Sequence, residues 1–507
     1  MILHPFLFAL FPILFLFSKN AGSVSVRSLP VPIGLALSAA ALLWLLFSLL
    51  ARDKRRSALL TSLALLLFFS YGHALTLLLG RQLGPLKVSG QRDLLLYWAI
   101  AFLVGVWILL RVKNLGGITR TFNAMAVFLV VITGISGCWH FFAFHRVAET
   151  PDSWEETLDL PLEELPDIYY IVLDGYGRAD TMRDYYSYDN SPFIQWLTER
   201  GFYVAHRSRP NYTLTAPSIA SALSMSYLDP LVKQVGPHSR NEIPLQRRIR
   251  DGAVLSFLRL RGYSIIAFSS GFYPTELRDA DAYLAPPVGF SPFQNELINS
   301  TPLQVLPRLL DFFDLQRKLH AQRILFALDR LPATTRLPSP RFVFVHLVCP
   351  HPPYLFRADG TRWPATGRRF SLETRKDMPN EEYREKYTAQ YAFVTRRIQS
   401  AIDQILRTSK KPPVILLQSD HGPGFHPRME RGRYARERLA ILNAYYFPDR
   451  NYTALHEGIT PVNSFRVVLN QYLGTQLPLL EDRSYLNDPR GLYDFREVTL
   501  SEERGDD

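Results

Sequence analysis

Acidic and imidazole side chains follow three short apolar runs, where a strand would be expected to end. Asp174 follows one run, His346 a second, and the neighbouring pair Asp420 and His421 a third. A lone aspartate after a strand is commonly a turn residue, but a carboxylate and an imidazole side by side can both face one cation. Their mixed oxygen and nitrogen donors suit a divalent metal ion, with zinc or manganese favoured over magnesium.

Hydroxyl side chains form a second cluster in a short segment. Thr213, Thr215 and Ser218 lie just before a helical pattern at Ile219–Met225. Because hydroxyl side chains favour the N-cap position of a helix, Ser218 is predicted to cap this helix, and a capping role is also expected for Thr213. Spacing alone gives Thr215 no special role.

The elements that must position these groups are short strands alternating with helices. The predicted strands and helices are Ile168–Leu173, Ser191–Arg200 (helix), Tyr263–Phe268, Arg341–Leu347, Glu381–Thr408 (helix) and Val414–Leu417. This alternation predicts an α/β domain with a mostly parallel central sheet flanked by helices. Ligands bind beyond the carboxyl ends of the strands in such sheets, which is where the acidic and imidazole groups lie.

The N-terminal part of the chain has a different composition. Residues 1–150 hold 13 basic and 3 acidic side chains, so they carry most of the net charge of +11. Five stretches there have no Asp, Glu, Lys or Arg over about the length of a bilayer-spanning helix, ~17–25 residues. They are Met1–Ser18, Ser28–Ala51, Ser57–Gly80, Leu94–Leu110 and Thr121–His145. We therefore predict a five-helix membrane domain, and the basic charge belongs to its loops rather than to a nucleic-acid site.

Loop charges and cysteine usage add two expectations. The basic cluster at 52–56 favours a cytoplasmic loop, so with five spans everything after His145 is expected outside the cytoplasm. The two cysteines, Cys138 and Cys349, exclude a disulfide framework and a cysteine-built zinc site.

The acidic, proline-containing segment after the last span is typical of a linker. Residues 149–167 contain eight acidic side chains and no basic ones. The predicted organisation is a transmembrane domain at 1–147, an acidic linker at 148–166, a catalytic domain at 167–480 and a polar tail at 481–507.

Four motifs together resemble the alkaline phosphatase superfamily, in its sulfatase-like branch. The motifs are Asp174 after the first strand of the domain, Thr-x-Pro-Ser at 215–218, His-x4-His-Pro-x-Tyr at 346–354 and Ser-Asp-His-Gly at 419–422. Their order and spacing match over about 310 residues. The resemblance implies a metal-dependent enzyme with an alkaline phosphatase or sulfatase-like fold.

The resemblance also implies roles for individual residues. Thr215 takes the position of the nucleophile and, with Asp174, Asp420 and His421, the positions of the metal ligands. His346 and His351 keep the spacing of histidines that face the substrate, and His426 is expected on the same side. Five arginines between positions 428 and 438 are expected on a solvated basic face instead.

Two departures from sulfatases narrow the resemblance. In the nucleophile motif, a threonine replaces the cysteine that sulfatases convert to formylglycine, and Ile219 replaces the arginine. After the first strand, Asp174 is followed by Gly175, where sulfatases usually have two aspartates. The chain is more similar to lipoteichoic acid synthases and phosphoethanolamine transferases, which have five N-terminal spans and a threonine nucleophile. It lacks the cysteines for the disulfides of the latter.

The sequence therefore predicts a multi-pass protein of a bacterial inner or plasma membrane that transfers a phospho-head group. A membrane phospholipid is the expected donor and a surface glycan, lipid or polymer the acceptor, through a phospho-threonine. A hydrolase of phosphodiesters or sulfuric esters is the first alternative, and an inactive membrane scaffold of the same fold is the second. Oligomeric state stays open.

Overall fold

The computed structural model gives the chain two compact units, each with its own core. Residues 1–147 with 289–313 form the helical unit, and residues 148–288 with 314–507 form the sheet unit. The structure describes residues 1–19, 28–79, 82–83, 86–88, 90–144, 161–287, 292–304, 312–364, 378–425, 429–487 and 491–498. Most of the predicted linker and parts of the predicted tail lie outside these ranges.

The helical unit consists of apolar helices and a short hairpin. Its elements are α1 (His4–Lys19), α2 (Pro30–Ala51), α3 (Lys54–Leu78), β1 (Gln82–Leu83), β2 (Leu86–Lys87), α4 (Gln91–Arg111), α5 (Leu115–Phe144) and, from the returning segment, α12 (Pro292–Asn299). Helices α2 to α5 are long and apolar enough to cross a membrane. Helix α1 has 16 residues, or roughly 24 Å at 1.5 Å per residue, which is short of a ~30 Å hydrocarbon core. The predicted count of five spans is therefore not confirmed, and four candidates stand.

The outer surface of these helices is itself apolar. Leu35 and Leu49 of α2 are 68% and 71% exposed, and Leu103 of α4 is 65% exposed. Water would disfavour such a contiguous apolar surface, whereas lipid tails would solvate it. Helix α3 is instead half-buried among the others.

Helix α3 contacts residues 299–300, at the end of α12, at a position where only glycine fits. The backbone N–H of Gly72 donates to the carbonyl of Ser300 at 2.9 Å. A Cβ on Gly72 would lie 2.4 Å from the carbonyl oxygen of Asn299, so any larger residue would push the two backbones apart. This contact fixes the segment after α12 on the membrane helices.

The sheet unit is built on one seven-stranded sheet. Its strands are β3 (Ile168–Leu173), β4 (Tyr203–Val204), β5 (Ser264–Phe268), β6 (Ala282–Leu284), β7 (Arg341–Leu347), β8 (Val414–Gln418) and β9 (Asn443–Tyr446), and a separate hairpin pairs β10 (Tyr485–Asn487) with β11 (Phe495–Glu497). The strand order is β4-β9-β8-β3-β7-β5-β6, and only the pairings of β9 are antiparallel. The prediction of a mostly parallel sheet is confirmed.

Helices cover this sheet on both faces. They are α6 (Ala179–Tyr186), α7 (Ser191–Glu199), α8 (Thr215–Ser224), α9 (Asp229–Val235), α10 (Ile243–Arg250), α11 (Ala253–Leu260), α13 (Phe312–Arg330), α14 (Asn380–Thr408), α15 (Arg431–Arg438) and α16 (Pro461–Leu473). All six residues of β3 are buried, with Ile168, Tyr170 and Val172 in one core and the alternate residues in the other. Two buried faces explain why the strand reads as a continuous apolar run.

The register of the central strands brings their carboxyl ends to one edge. In the parallel ladders, Val172 of β3 pairs with His346 of β7 and with Gln418 of β8. Asp174 and Asp420 each follow two residues later. Residues far apart in the chain therefore meet at a single edge of the sheet, as the sequence predicts.

Candidate active site

The turn after β3 requires a glycine, because an aromatic ring packs directly against it. Gly175 has φ of +70°, and a Cβ there would lie 2.3 Å from the Phe425 ring. Its N–H donates to Oδ1 of Asp420 at 3.1 Å, while the N–H of Asp174 donates to the Leu347 carbonyl at 2.9 Å. The turn thereby holds both aspartates at the end of the sheet.

The turn after β8 is held by Ser419 and by close packing at Gly422. Ser419 Oγ accepts from the N–H of Tyr176 at 2.8 Å and lies 2.8 Å from the Leu173 carbonyl. A Cβ on Gly422 would lie 1.9 Å from the carbonyl oxygen of Glu437, so this turn packs directly on the end of α15. Asp420 and His421 are both buried as a result.

Helix α8 begins at Thr215, four residues before the predicted helical run. Leu214 precedes it in an extended conformation, and no side chain caps the helix. The predicted cap, Ser218, lies within the helix and donates to the Asp420 carbonyl at 2.6 Å. The N–H of Thr213 donates to Asn487 Oδ1 at 3.1 Å. The capping prediction is wrong because Pro217 fits the first helical turn, where its missing N–H is not needed.

Three of the four predicted metal-ligand residues converge on an atom of the fourth, Nε2 of His421. Thr215 Oγ1 lies 3.2 Å from it, Asp420 Oδ2 3.4 Å and Asp174 Oδ1 3.7 Å. Nδ1 of His421 faces the Gly422 carbonyl at 2.9 Å. A proton on Nδ1 would be donated to this carbonyl and would leave the lone pair of Nε2 facing the threonine and the carboxylates.

His346 lies with the carboxylates rather than apart from them. Its Nε2 is 3.3 Å from Asp174 Oδ2, and together with Asp174 and Asp420 it forms a group whose ligand atoms lie within 4.8 Å of one another. Its Nδ1 is 2.8 Å from Thr275 Oγ1, whose hydroxyl donates to the Phe272 carbonyl. Nδ1 is thus the protonated nitrogen, and Nε2 faces the carboxylates unprotonated. No motif or spacing in the sequence singles out Thr275.

His351 lies at the side of this cluster. Its Nδ1 donates to the Pro352 carbonyl at 2.7 Å, and its ring centroid is 6.4 Å from that of His421. Its ring also meets Phe425 edge to face at 4.6 Å. His426, which was predicted to face the substrate, lies outside the described residues.

Burial and like charge shift the proton affinities of these groups. Burial, followed by the neighbouring Asp174, raises the pKa of Asp420 to about 7, and burial also raises the pKa of Asp174. Burial lowers the pKa of His346 to about 4 and that of His421 well below its usual value. At neutral pH both histidines are therefore neutral, and the two buried aspartates bind protons more readily than free aspartates do.

The residues present fit a divalent cation. Asp174 Oδ1, Asp420 Oδ2 and His346 Nε2 are buried and have no hydrogen-bond partner among the described residues. Leaving buried acceptors without a donor is costly, and a carboxylate and imidazole set is what zinc or manganese binds. Thr215 and His421 border the same space.

Tyrosines of α14 support the turn that carries Asp174. Tyr387 Oη donates to the Gly175 carbonyl at 2.8 Å and accepts from the N–H of Gly177 at 3.2 Å. Tyr391 Oη donates to the Gly177 carbonyl at 3.0 Å. The two tyrosines are four residues apart and so lie on one face of α14, where both phenols hydrogen-bond to the backbone of the turn.

A mostly parallel sheet with aspartates, histidines and a threonine converging beyond its strand ends defines an enzyme of the alkaline phosphatase superfamily, whose sulfatase-like members are hydrolases and transferases. Residues 166–466 match the family model described as Sulfatase. The chain belongs to the sulfatase family.

Solved structures that match the chain include a phosphoethanolamine transferase and a hydrolase. The C-terminal periplasmic domain of EcEptC from Escherichia coli has 12% identity and a TM-score of 0.42, covering 66% of this chain and 92% of that one. The integral membrane lipooligosaccharide phosphoethanolamine transferase A from Neisseria meningitidis has 12% identity and a TM-score of 0.42, covering 92% and 95%. The phosphonate monoester hydrolase of Agrobacterium radiobacter has 13% identity and a TM-score of 0.39, covering 63% and 80%. No functionally curated protein matches the sequence.

Proposed function

We propose that this protein transfers a phospho-head group from a membrane phospholipid to an acceptor hydroxyl through a phospho-threonine at Thr215. The acceptor class is a surface glycan, lipid or polymer. The observation that carries the proposal is the buried hydroxyl of Thr215, which lies 3.2 Å from Nε2 of His421. A threonine used only to start a helix has no need of an imidazole and two buried carboxylates beside it.

The geometry supports a two-step reaction. Thr215 Oγ1 attacks phosphorus and forms a P–O bond, while the bond to the glycerol oxygen breaks and diacylglycerol leaves. The proton released by the threonine passes to that leaving oxygen, and His351 is the proposed carrier. The acceptor hydroxyl then attacks the phospho-threonine, its proton is taken up by Thr215, and the P–O bond to Thr215 breaks.

Asp174, Asp420, Thr215 and His421 are the proposed ligands of the cation, and His346 stands beside them as a further donor. Zinc or manganese bound there would lower the pKa of the threonine hydroxyl and offset the charge of the phosphoryl oxygens. The N-terminus of α8 adds a favourable field for an anion at Thr215.

The membrane helices support a lipid as the donor. A catalytic unit carried on the same chain as membrane spans meets lipid head groups at high effective concentration. We propose an inner or plasma membrane location with the catalytic unit outside the cytoplasm. We also propose α1 as a fifth span, which its 16 residues allow only where the bilayer thins locally. The proposed domain limits are those given above, except that residues 289–313 join the membrane unit.

Hydrolysis by water is the second candidate, and membership of the sulfatase family favours it. The two differ only in what attacks the phospho-threonine. Zinc-loaded protein would be incubated with a radiolabelled phospholipid, with and without an acceptor alcohol such as glycerol, beside Thr215→Ala. A transferase forms diacylglycerol together with a head-group adduct of the alcohol. A hydrolase releases the phospho-head group to water whether or not the alcohol is present, which would contradict the transfer proposal.

A further inference from the structure

An arginine at the edge of the site differs from the other arginines of its helix. Arg438, the last residue of α15, is only 8% exposed, although the sequence suggested a solvated basic face. Its Nη1 lies 2.9 Å from Nε2 of His421 and 2.6 Å from Nδ1. Because a guanidinium only donates, this contact places a fixed positive charge against the imidazole.

Close backbone and ring contacts hold Arg438 in place. The N–H of Gly422 donates to the Arg438 carbonyl at 2.8 Å, and a Cβ on Gly424 would lie 3.3 Å from Cγ of the arginine. The guanidinium stacks 4.6 Å from the Phe425 ring and 5.6 Å from the Tyr434 ring. These contacts fix where the cation points, but they do not neutralise it.

Among the described residues, Arg438 has no carboxylate as an ion-pair partner. The adjacent Glu437 instead forms an ion pair with Arg433, at 2.6 Å, and accepts a hydrogen bond from the Tyr186 hydroxyl, at 2.5 Å. Nε of Arg438 is buried and has no hydrogen-bond partner there. A buried cation with unused donors is costly unless an anion completes it.

The place of that anion follows from the distances. Thr215 Oγ1 and Arg438 Nη1 both lie within 3.2 Å of Nε2 of His421. A phosphoryl group on the threonine would therefore present its oxygens within reach of the guanidinium. Arginine suits this because its planar fork of donors matches two oxygens of one phosphate group.

We propose that Arg438 binds the non-bridging oxygens of the transferred phosphoryl group, in the diester and on Thr215. The inference rests on the proposed function, and it names a residue for recognising the phosphate itself rather than the head group. Arg438 contributes hydrogen bonds only, so no covalent bond to it forms or breaks.

The experiment measures binding rather than turnover, in full-length, zinc-loaded protein in detergent. All variants carry Thr215→Ala, so that nothing is transferred. The probes are inorganic phosphate and dihexanoyl phosphatidylglycerol, titrated by calorimetry against Arg438→Gln, Arg438→Lys and Arg436→Gln. Arg436 is the matched control because it lies on the same helix and carries the same charge, but its Nε donates to the Tyr185 hydroxyl at 2.9 Å.

We expect Arg438→Gln to weaken both probes by ~10–100-fold, as for a lost charge-assisted hydrogen bond. Affinities for Arg438→Lys should fall between those of the parent protein and Arg438→Gln. Arg436→Gln should stay within about twofold, since it removes the same charge from a side chain bonded to Tyr185 rather than to His421. Zinc content and melting temperature identify variants that have lost the site, and Arg438→Lys retains a test if Arg438→Gln does not fold. Unchanged binding of the lipid by Arg438→Gln with zinc retained, an equal loss in Arg436→Gln, or no phosphate binding by the parent protein would each overturn the proposal. Failure of covalent transfer at Thr215 would leave this result unaffected.

Discussion

Thr215 and His421 lie 206 positions apart in the sequence, yet the hydroxyl oxygen of one is 3.2 Å from Nε2 of the other. The contact is made by the first residue of α8 and the turn after β8, which Ser218 ties together through the Asp420 carbonyl. The sheet register and this contact with α8 thus bring Thr215, the proposed nucleophile, and its neighbours to one edge of the sheet. Each part of this arrangement can be tested separately.

Cation binding should release protons in a pH-dependent way. The pKa of Asp420 is raised to about 7 by burial and by Asp174, so below that pH a cation has to displace a proton. His346, with a pKa lowered to about 4, adds none near neutrality. The pKa of Asp174 is raised as well, so zinc affinity should fall by at least roughly tenfold per pH unit below about pH 7. Calorimetry in two buffers of different ionisation enthalpy counts the protons, and an affinity that is flat between about pH 6 and 8.5 would contradict the raised pKa.

Thr275 should act through His346. Thr275→Val removes the acceptor of the Nδ1 proton, which leaves a buried donor unsatisfied and frees the ring to turn or change tautomer. We expect zinc affinity to fall ~10–100-fold, as for other residues that orient a ligating histidine. Thr275→Ser keeps the hydroxyl and is the control. A chelator competition assay in which valine and serine variants bind zinc equally would rule out this positioning role.

Tyr387 should hold the turn that carries Asp174. Tyr387→Phe removes hydrogen bonds to the Gly175 carbonyl and the Gly177 N–H, at a cost of ~0.5–1.5 kcal/mol each. Hydrogen exchange at the Gly177 amide should accelerate because it loses its acceptor, and zinc affinity should weaken. Tyr188→Phe is the matched control, because Tyr188 contacts Tyr391 only through its ring. Equal exchange rates in the two variants would show that the turn is held by other contacts.

The contact between α3 and the segment after α12 should depend on Gly72. Gly72→Val would place a side chain within 2.4 Å of the Asn299 carbonyl oxygen, whereas Gly134 has open space around the Cβ position. We expect Gly72→Val to expose residues 292–304 to faster hydrogen exchange, and Gly134→Val to leave them unchanged. Protection that survives in Gly72→Val would mean that the segment is held elsewhere.

The fold was accessible from sequence because its central strands are buried on both faces. Apolar runs such as Ile168–Leu173 and Arg341–Leu347 stand out, and parallel pairing then places Asp174 and Asp420 at one edge without further information. The start of α8 was missed because Pro217 is tolerated in a first turn. Thr275, Tyr387 and Arg438 were missed because each reaches the site by a contact with a residue that is not its neighbour in sequence, and nothing local separates them from ordinary loop or helix residues. The length of α1 depends on where its helix ends, which an apolar pattern does not fix.

The most direct test of the account is the intact mass of the full-length protein after incubation with mixed phospholipids and zinc or manganese. Wild type would be compared with Thr215→Ala and Thr215→Ser, followed by peptide mapping. We predict an adduct of head-group mass on Thr215, its loss in Thr215→Ala and its partial return in Thr215→Ser, because serine restores the hydroxyl. No adduct with either metal, while wild type and Thr215→Ala bind the metal equally, would contradict covalent transfer through this threonine.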